Sequence, residues 1–181
     1  MELDLLDLYG RASEWTSTKV AGASSKLNDP SSCDGWNVRM LMSHMLQTQH
    51  YFVAAARGQE VSPPAGTPPD LVSDEPRADF DRARAETLLA FGEPGVIDKT
   101  GPALGIAFSD QLLHGWDLAR STGQESGMPE GLPDAAYSLI YGQFTEEQRK
   151  GVFKPEIAVA PEASAQDKLL AYTGRDPSSS R

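Results

Sequence analysis

The amino-acid sequence predicts an all-α fold, a bundle of helices with an additional short helix near the C-terminus. Apolar residues recur at intervals of three and four in five segments, which is the period of amphipathic helices. No strand pattern alternates with these segments, so a parallel sheet is not indicated. The chain has 181 residues, enough to bury the apolar faces of such helices in one core. We therefore expect a single domain over residues 1–175 and a flexible tail over residues 176–181.

The first two helices are predicted from periodicity and from a capping residue. Residues 2–21 carry apolar side chains at helical spacing, with acidic residues between them. Asn37 is a suitable N-cap for a second helix, which should end near Gly58. Residues 58–72 contain four prolines, which permit neither a helix nor a central strand, so this segment is expected to form a loop.

The third and fourth helices are predicted on either side of a short extended segment. Ser73 or Asp74 would cap the third helix with a side-chain oxygen. Residues 93–101 would be extended. The fourth helix would run over about residues 102–121 and end at Gly123, which suits the left-handed conformation at a helix C-terminus.

The remaining chain predicts a fifth helix and a short final one. Residues 133–149 have aromatic and aliphatic side chains along one face of a helix. Residues 155–161 have a proline at each end and are expected to be extended. A short helix would follow them and end at residues 172–174.

Composition and charge exclude several classes of partner. The formal net charge is −10 and no basic run occurs, which argues against nucleic acid and anionic membranes, since both attract clustered Lys and Arg. No apolar run approaches the roughly 20 residues of a membrane span, and the N-terminus lacks the pattern of a signal peptide. The single Cys33 fits a reducing compartment. We therefore expect a cytoplasmic monomer or homodimer with a small-molecule substrate.

The strongest candidate site combines two of the predicted helices. Asp110 and His114 are four positions apart, so one helical turn places a carboxylate and an imidazole on the same face. A second helix would bring His44 to the same place. Two imidazoles and one carboxylate make a three-ligand set that leaves room for a substrate, as in catalytic metal sites. The pattern predicts a divalent metal ion held by His44, Asp110 and His114.

Other roles for the neighbouring polar residues stay open at the level of sequence. Spacing alone also permits a solvated hydrogen bond between Asp110 and His114 with no metal. Asp117 falls on nearly the same face and is a candidate outer-shell carboxylate that orients an imidazole, or else a solvated acid. His50 is expected at the surface. Cys33 fits a small buried residue better than a reactive thiol at a helix start.

Three segments of the chain resemble one protein family. A Cys-x-x-Trp-x-Val-x-x-Leu-x-x-His pattern runs from Cys33 to His44 and is similar to a segment of the DinB/YfiT-like superfamily. The branch it resembles is related to the N-terminal domain of mycothiol-dependent maleylpyruvate isomerase. The stretch from Asp110 to Gly123 resembles the second metal segment of that branch, and residues 153–177 resemble its usual ending. The resemblance therefore covers most of the chain in order.

The resemblance implies a four-helix bundle in an up-up-down-down arrangement, with a divalent metal, usually zinc or nickel, at one end. The ligand positions of the family carry over to His44, Asp110 and His114. This chain has Asp110 where the isomerases have a glutamate. A shorter carboxylate alters the site, so the resemblance does not identify a substrate.

Three functions follow as hypotheses. In a thiol-dependent S-transferase or isomerase, the metal would bind a low-molecular-weight thiol such as mycothiol as its thiolate. In a hydrolase, isomerase or lyase, it would activate water or a carbonyl group, and the same ligands also suit iron and oxygen chemistry. The third hypothesis is a non-catalytic metal-binding stress protein. No GxSxG, P-loop, GxGxxG or CxxC motif supports a serine-hydrolase or nucleotide-binding alternative.

Overall fold

The computed structural model describes residues 4–178, and within that range it contains seven helices and no strand. The predicted all-α class is therefore confirmed. Residues 1–3 and 179–181, which include half of the expected tail, lie outside the described residues. The helices are α1 (Leu5–Ala23), α2 (Val38–Ala56), α3 (Pro76–Gly92), α4 (Val96–Thr122), α5 (Leu132–Ile140), α6 (Glu146–Val152) and α7 (Ala165–Tyr172).

Local signals set two helix boundaries as the sequence predicts. The side-chain oxygen of Asn37 accepts a hydrogen bond from the Met40 amide at 2.9 Å and so caps the start of α2. Gly123 ends α4 with a φ of 71°, a left-handed conformation that a residue without a Cβ adopts at no steric cost. The proline-rich segment between α2 and α3 has no regular structure, also as predicted.

The start of α3 differs from the prediction. Neither Ser73 nor Asp74 caps this helix; Glu75 is the N-cap residue and makes no capping hydrogen bond with its side chain. Ser73 instead accepts a hydrogen bond from the Glu75 amide at 3.1 Å, in the turn that precedes the helix. The helix begins at Pro76, whose fixed φ suits the first helical position and whose missing N–H would be unpaired there anyway.

The fourth helix is longer than predicted. It begins at Val96, so the segment expected to be extended is mostly helical and Pro102 lies inside the helix. Val96 and Ile97 pack against the main apolar core. Their burial offsets part of the cost of about 3 kcal/mol that an interior proline imposes on a helix. Tertiary packing has therefore overridden a local breaking signal.

The predicted fifth helix is divided into two. α5 ends at Ile140, and Gly142 follows it with a φ of 70°. α6 then begins with a capping box, in which Thr145 accepts from the Gln148 amide while the Gln148 side chain accepts from the Thr145 amide. Both the glycine and the Thr-x-x-Gln spacing are present in the sequence, and together they account for the break.

Helices α1 to α4 form a four-helix bundle in which α1 and α2 each pack against both α3 and α4. Helices α1 and α4, which make the most extensive contact in the bundle, run in the same direction. Leu5 at the start of α1 lies against Gly105 in the first half of α4. Further along both helices, the Thr16 hydroxyl donates to the Gln111 carbonyl at 2.9 Å.

The other two helices run in the opposite direction. The ring of His44 lies against that of His114, while Thr48, one turn later in α2, contacts Asp110, one turn earlier in α4. α2 is therefore antiparallel to α4. Only residues 93–95 connect α3 to α4, and so short a connection reverses the chain between packed helices.

The four helices thus run up, down, down and up, which differs from the up-up-down-down order that the resemblance implies. The connections account for this order. α2 has 19 residues and is about 28 Å long. Residues 57–75 can span more than that distance, since an extended chain covers roughly 3.3 Å per residue. The consecutive helices α2 and α3 can therefore run in the same direction.

Two apolar clusters fill the bundle. The smaller lies around α2 and α3 and includes Leu41, Met45 and Phe80. The larger lies between α1 and α4 and extends to α5 and α7, through residues such as Tyr9, Phe91, Phe108, Leu112, Leu132 and Leu169. The packing of α5 and α7 brings the residues that follow α7 towards the second half of α4.

Within the described range, no helix is both long and apolar enough to cross a membrane.

Candidate metal centre

The three predicted ligands meet at the contact between α2 and α4. One ligand atom each of His44, Asp110 and His114 lies within 4.8 Å of the others. Nε2 of His114 is 3.4 Å from Oδ1 of Asp110. The imidazole rings of His44 and His114 have centroids 5.0 Å apart and are nearly perpendicular, at 88°. The antiparallel packing of the two helices therefore adds His44 to Asp110 and His114, the two ligands that helical spacing alone brings together.

The carboxylate of Asp110 is held by two neighbours on one of its oxygens. The Thr48 hydroxyl donates to Oδ2 at 2.9 Å, and the Gln111 amide donates to the same oxygen at 3.3 Å. The other oxygen, Oδ1, faces His114. Two donors on Oδ2 fix the carboxylate plane and leave Oδ1 as the atom that is free to bind a cation with the two imidazoles.

His114 is oriented from its other side by Asp117. Nδ1 of His114 lies 2.9 Å from Oδ2 of Asp117, three residues later in α4. The structure thus places Asp117 where an outer-shell carboxylate would lie. A hydrogen bond from Nδ1–H to this carboxylate fixes the ring tautomer and turns Nε2 towards Asp110 and His44.

Arg175 is a component of the site that the sequence prediction missed. Its Nε donates to Oδ1 of Asp117 at 2.8 Å and its Nη2 donates to Oδ2 at 2.7 Å, which is a bidentate ion pair. The Asp117 side chain is only 4% exposed and that of Arg175 is 18% exposed. The two residues are 58 positions apart, so no helical or strand period could have related them.

The protonation states of the ligands differ with their surroundings. Burial, assisted by the nearby charge of His114, lowers the pKa of His44 from 6.5 to about 4, so this imidazole is neutral at pH 7. Burial by itself would raise the pKa of Asp110, but the charge and hydrogen bond of His114 outweigh it and hold that pKa below 3.8. The site therefore offers a neutral nitrogen and an ionised carboxylate at neutral pH.

The surroundings of His114 favour its protonated form. Burial acts to lower its pKa, but the charge of Asp110 and the hydrogen bonds to Asp110 and Asp117 raise it well above 6.5. Asp117 is also buried, yet the Arg175 guanidinium holds the pKa of that carboxyl well below its usual range. With His114 protonated, one imidazolium and one guanidinium would balance the two carboxylates.

A second group of donor atoms surrounds the other nitrogen of His114. Cys33, His114 and Asp117 also have ligand atoms within 4.8 Å of one another. Both oxygens of Asp117, however, are occupied by Arg175, whose positive charge would repel a cation at this position. His44, Asp110 and His114 are therefore the stronger candidates for metal ligands, and Asp117 lies where it can orient the His114 ring.

Aromatic and polar groups outside the ligand set complete the site. The indole of Trp36 lies against the His44 ring, with centroids 5.1 Å apart, and forms an apolar wall beside it. The side chains of His114 and Asp110 are 13% and 19% exposed, so an edge of the site remains accessible. Cys33 is half-buried, with Sγ 4.0 Å from Oδ2 of Asp117.

Residues elsewhere do not join this cluster. His50 is exposed, as predicted, although it lies in the same helix as His44. An open groove of about 580 Å³ lies between α1 and α3, beside Trp15 and Arg84. A smaller cavity of about 230 Å³ lies next to His50. Neither is lined by the three candidate ligands.

The donor set fits a divalent cation on chemical and geometric grounds. Ligands about 2.1 Å from a tetrahedral zinc ion lie about 3.4 Å from one another. The observed 3.4 Å between Nε2 of His114 and Oδ1 of Asp110 matches that separation. Nitrogen and carboxylate ligands suit zinc, and they also suit nickel or iron.

Comparisons with known proteins identify relatives but give them no activity. Two curated proteins, from two strains of Mycobacterium tuberculosis, are each 27% identical to this chain over 191 aligned positions. The alignments cover 96% of this chain and 98% of each relative, and both relatives are named as uncharacterized proteins. No protein-family model and no solved structure matches the chain. The names of the relatives assign no activity, so a function must be inferred from the geometry of the site.

Proposed function

We propose that this protein is a divalent-metal-dependent enzyme acting on a small molecule, built on a helical bundle whose ligand segments resemble those of the DinB/YfiT-like superfamily. The observation that carries the proposal is the convergence of three donor atoms from His44, Asp110 and His114 within 4.8 Å. Histidine and carboxylate side chains that only face solvent have no need to bring three donor atoms so close together. Three protein ligands from a bundle also leave coordination positions for a substrate, as catalytic sites do.

Each residue of the site has a definable role in this proposal. His44 supplies a neutral nitrogen, because burial keeps its pKa at about 4. Asp110 supplies Oδ1, while Thr48 and Gln111 hold its other oxygen. Asp117 keeps Nε2 of His114 directed towards the other ligands. When bound, the metal would act as a Lewis acid and lower the pKa of a coordinated thiol or water.

Charge balance favours an anion as the further ligand. The metal-free cluster is neutral with a proton on His114. A divalent cation in place of that proton leaves one net positive charge in a mostly buried site. An anionic small ligand would neutralise this charge, whereas a neutral carbonyl compound would not. A thiolate has the required charge.

We infer from this balance and from the family resemblance that the enzyme is a thiol-dependent S-transferase or isomerase with zinc as the preferred metal. A low-molecular-weight thiol such as mycothiol would be the cosubstrate. The ionised thiol is the nucleophilic form. Its sulfur would form a bond to an electrophilic carbon of the second substrate, while the bond from that carbon to a leaving group, or the π bond of an activated alkene, breaks and its electron pair moves away from that carbon. Trp36 would shield the nucleophile from water on the His44 side. A hydroxide ion satisfies the same charge balance, which makes a metal-dependent hydrolase the second candidate.

The metal assignment is tested by elemental analysis of untagged protein. The wild type should carry about one equivalent of zinc, nickel or iron. His44→Ala and Asp110→Ala should each lose it, because each removes one of three ligands. His50→Ala is the matched control, since it removes an exposed histidine from the same helix. A wild type that neither contains nor takes up a metal would refute the proposal.

The thiol assignment needs a second measurement on metal-loaded protein. Cobalt(II) provides a visible absorption spectrum that responds to its ligands. Titration with mycothiol or cysteine should change this spectrum in the wild type, and serine at the same concentration should not. If no thiol changes the spectrum or supports turnover of any electrophile, the thiol chemistry is refuted and the hydrolase remains.

A further inference from the structure

The C-terminal segment, residues 153–175, folds back and delivers one side chain to the metal centre. Lys154 in this segment pairs with Asp34 at 2.7 Å, in the loop that precedes α2. The Ile157 amide donates to the Ala171 carbonyl at 3.0 Å, which ties the extended part of the segment to α7. Arg175 then follows α7, and its amide donates to the Leu170 carbonyl at 2.9 Å.

Gly174 makes the close return of this segment feasible. It has a φ of 74°, and a Cβ at this position would lie 2.7 Å from the carbonyl oxygen of Lys154. A larger residue would therefore be strained and would also push the two parts of the segment apart. The position of Arg175 is thus fixed by backbone geometry as well as by its ion pair.

The guanidinium of Arg175 makes its hydrogen bonds at the site to Asp117, and its charge also acts on Asp110. Its two hydrogen bonds to Asp117 leave that carboxylate one oxygen to share with Nδ1 of His114. Removal of Arg175 would leave a buried carboxylate without its cation. Asp117 could then turn, take a proton, or attract the metal to the wrong side of His114, towards Cys33.

We propose that Arg175 is a positioning residue of the metal centre, and that docking of the C-terminal segment is coupled through Asp117 to metal binding at His114. This inference rests on the proposed metal site but concerns a different part of the chain. By thermodynamic reciprocity, a docked segment strengthens metal binding, and a bound metal strengthens docking by the same factor.

The test measures the Kd of cobalt(II) by competition with a chelator in Arg175→Met and in Arg149→Met. Arg149 is the matched control, because its guanidinium also packs on this segment, 4.3 Å from the Tyr172 ring, and donates to the Tyr172 carbonyl at 2.7 Å. We expect about 10- to 100-fold weaker binding in Arg175→Met, the usual effect of an outer-shell change. Arg149→Met should weaken binding less than Arg175→Met does, because it loosens the segment without removing the ion pair with Asp117. Arg175→Lys should recover part of the loss.

Three further readouts distinguish a positioning role of Arg175 from a purely structural one. The cobalt spectrum of metal-saturated Arg175→Met should differ from the wild-type spectrum, because His114 is no longer oriented in the same way. In the Asp117→Asn background, Arg175→Met should cause little additional loss of affinity, since the two residues act as a unit. Metal should also slow tryptic cleavage after Lys154 and Lys168 in the wild type, and lose that effect in Arg175→Met.

The outcomes distinguish this inference from the proposed function. A wild type that binds no cobalt refutes both. A wild type that binds cobalt, with a folded Arg175→Met variant of equal affinity and spectrum, refutes the positioning role alone. If circular dichroism shows that Arg175→Met does not fold, Arg175→Gln is judged by the same criterion. Absence of metal-dependent protection in the wild type refutes the coupling of segment docking to metal binding.

Discussion

The close approach of α1 to α4 beside the candidate metal centre predicts a specific response to substitution of Gly115. A Cβ on this residue would lie 2.5 Å from the Thr16 hydroxyl and 2.6 Å from Cζ3 of Trp15. Both distances are shorter than the 3.0 Å below which a neighbour must move. Thr16 can move only by giving up its hydrogen bond to the Gln111 carbonyl, because its branched side chain has few rotamers.

The size of the effect follows from three terms. Overpacking of a close contact typically costs about 1–3 kcal/mol. Loss of the Thr16 hydrogen bond adds roughly 0.5–1.5 kcal/mol. In the opposite direction, replacement of a helical glycine by alanine stabilises the helix by about 1 kcal/mol, because alanine has the higher helix propensity. Gly115→Ala should therefore lower the free energy of unfolding by about 1–3 kcal/mol.

Gly105 provides the control because it is buried in the same helix but has more space. A Cβ there would be 3.7 Å from the nearest atoms, which belong to Leu139, and this is ordinary van der Waals contact. Gly105→Ala should stabilise the protein by about 0.5–1 kcal/mol. Urea unfolding of both variants without metal, followed by circular dichroism, measures the difference. A Gly115→Ala variant as stable as Gly105→Ala would refute the argument from close packing.

Three further perturbations have defined outcomes. The pKa of His44 is lower when folded, about 4, than its unfolded value of 6.5, so it contributes stability above pH 6.5 that is lost as pH falls towards 4. His44→Gln should remove up to about 3 kcal/mol of the acid-induced loss of stability in metal-free protein, and an unchanged pH profile would contradict this. Tyr9→Phe should cost about 1–3 kcal/mol in urea unfolding, since it leaves the buried Gln49 oxygen without its 3.1 Å hydrogen bond; no change would mean that Gln49 finds another donor. Thr48→Val should weaken cobalt binding about tenfold or more by freeing Asp110, and unchanged affinity would show that this hydroxyl does not orient the carboxylate.

The parts of the fold that local chemistry specifies could be predicted from the sequence. The cap at Asn37 and the glycine stop at Gly123 depend on residues within a few positions of the boundary. The start of α4 could not be predicted in this way. Burial of Val96 and Ile97 against residues distant in sequence favours a helix that Pro102 would locally oppose. The directions of α2 and α3 likewise depend on how a long loop crosses the bundle.

The residues of the candidate site likewise differ in whether local spacing or the tertiary fold determines their position. Asp110 and Asp117 lie one turn before and one turn after His114 in α4, so helical spacing alone places both near its ring. The position of His44 required a second helix in the correct register. Arg175 could not be predicted, because only the folded C-terminal segment brings it to Asp117.

Metal binding at the candidate site would depend on parts of the chain that are distant in sequence. A partly unfolded chain that keeps α4 retains the contacts of His114 with both carboxylates, yet it lacks the nitrogen of His44 and the cation of Arg175. Tight metal binding therefore requires α2, α4 and the C-terminal segment to be in place together. A ligand that binds only this complete state stabilises it by about 2.7 kcal/mol at 100 times its Kd. A bound metal would thus stabilise the positions of His44 and Arg175, which the formation of α4 alone does not determine.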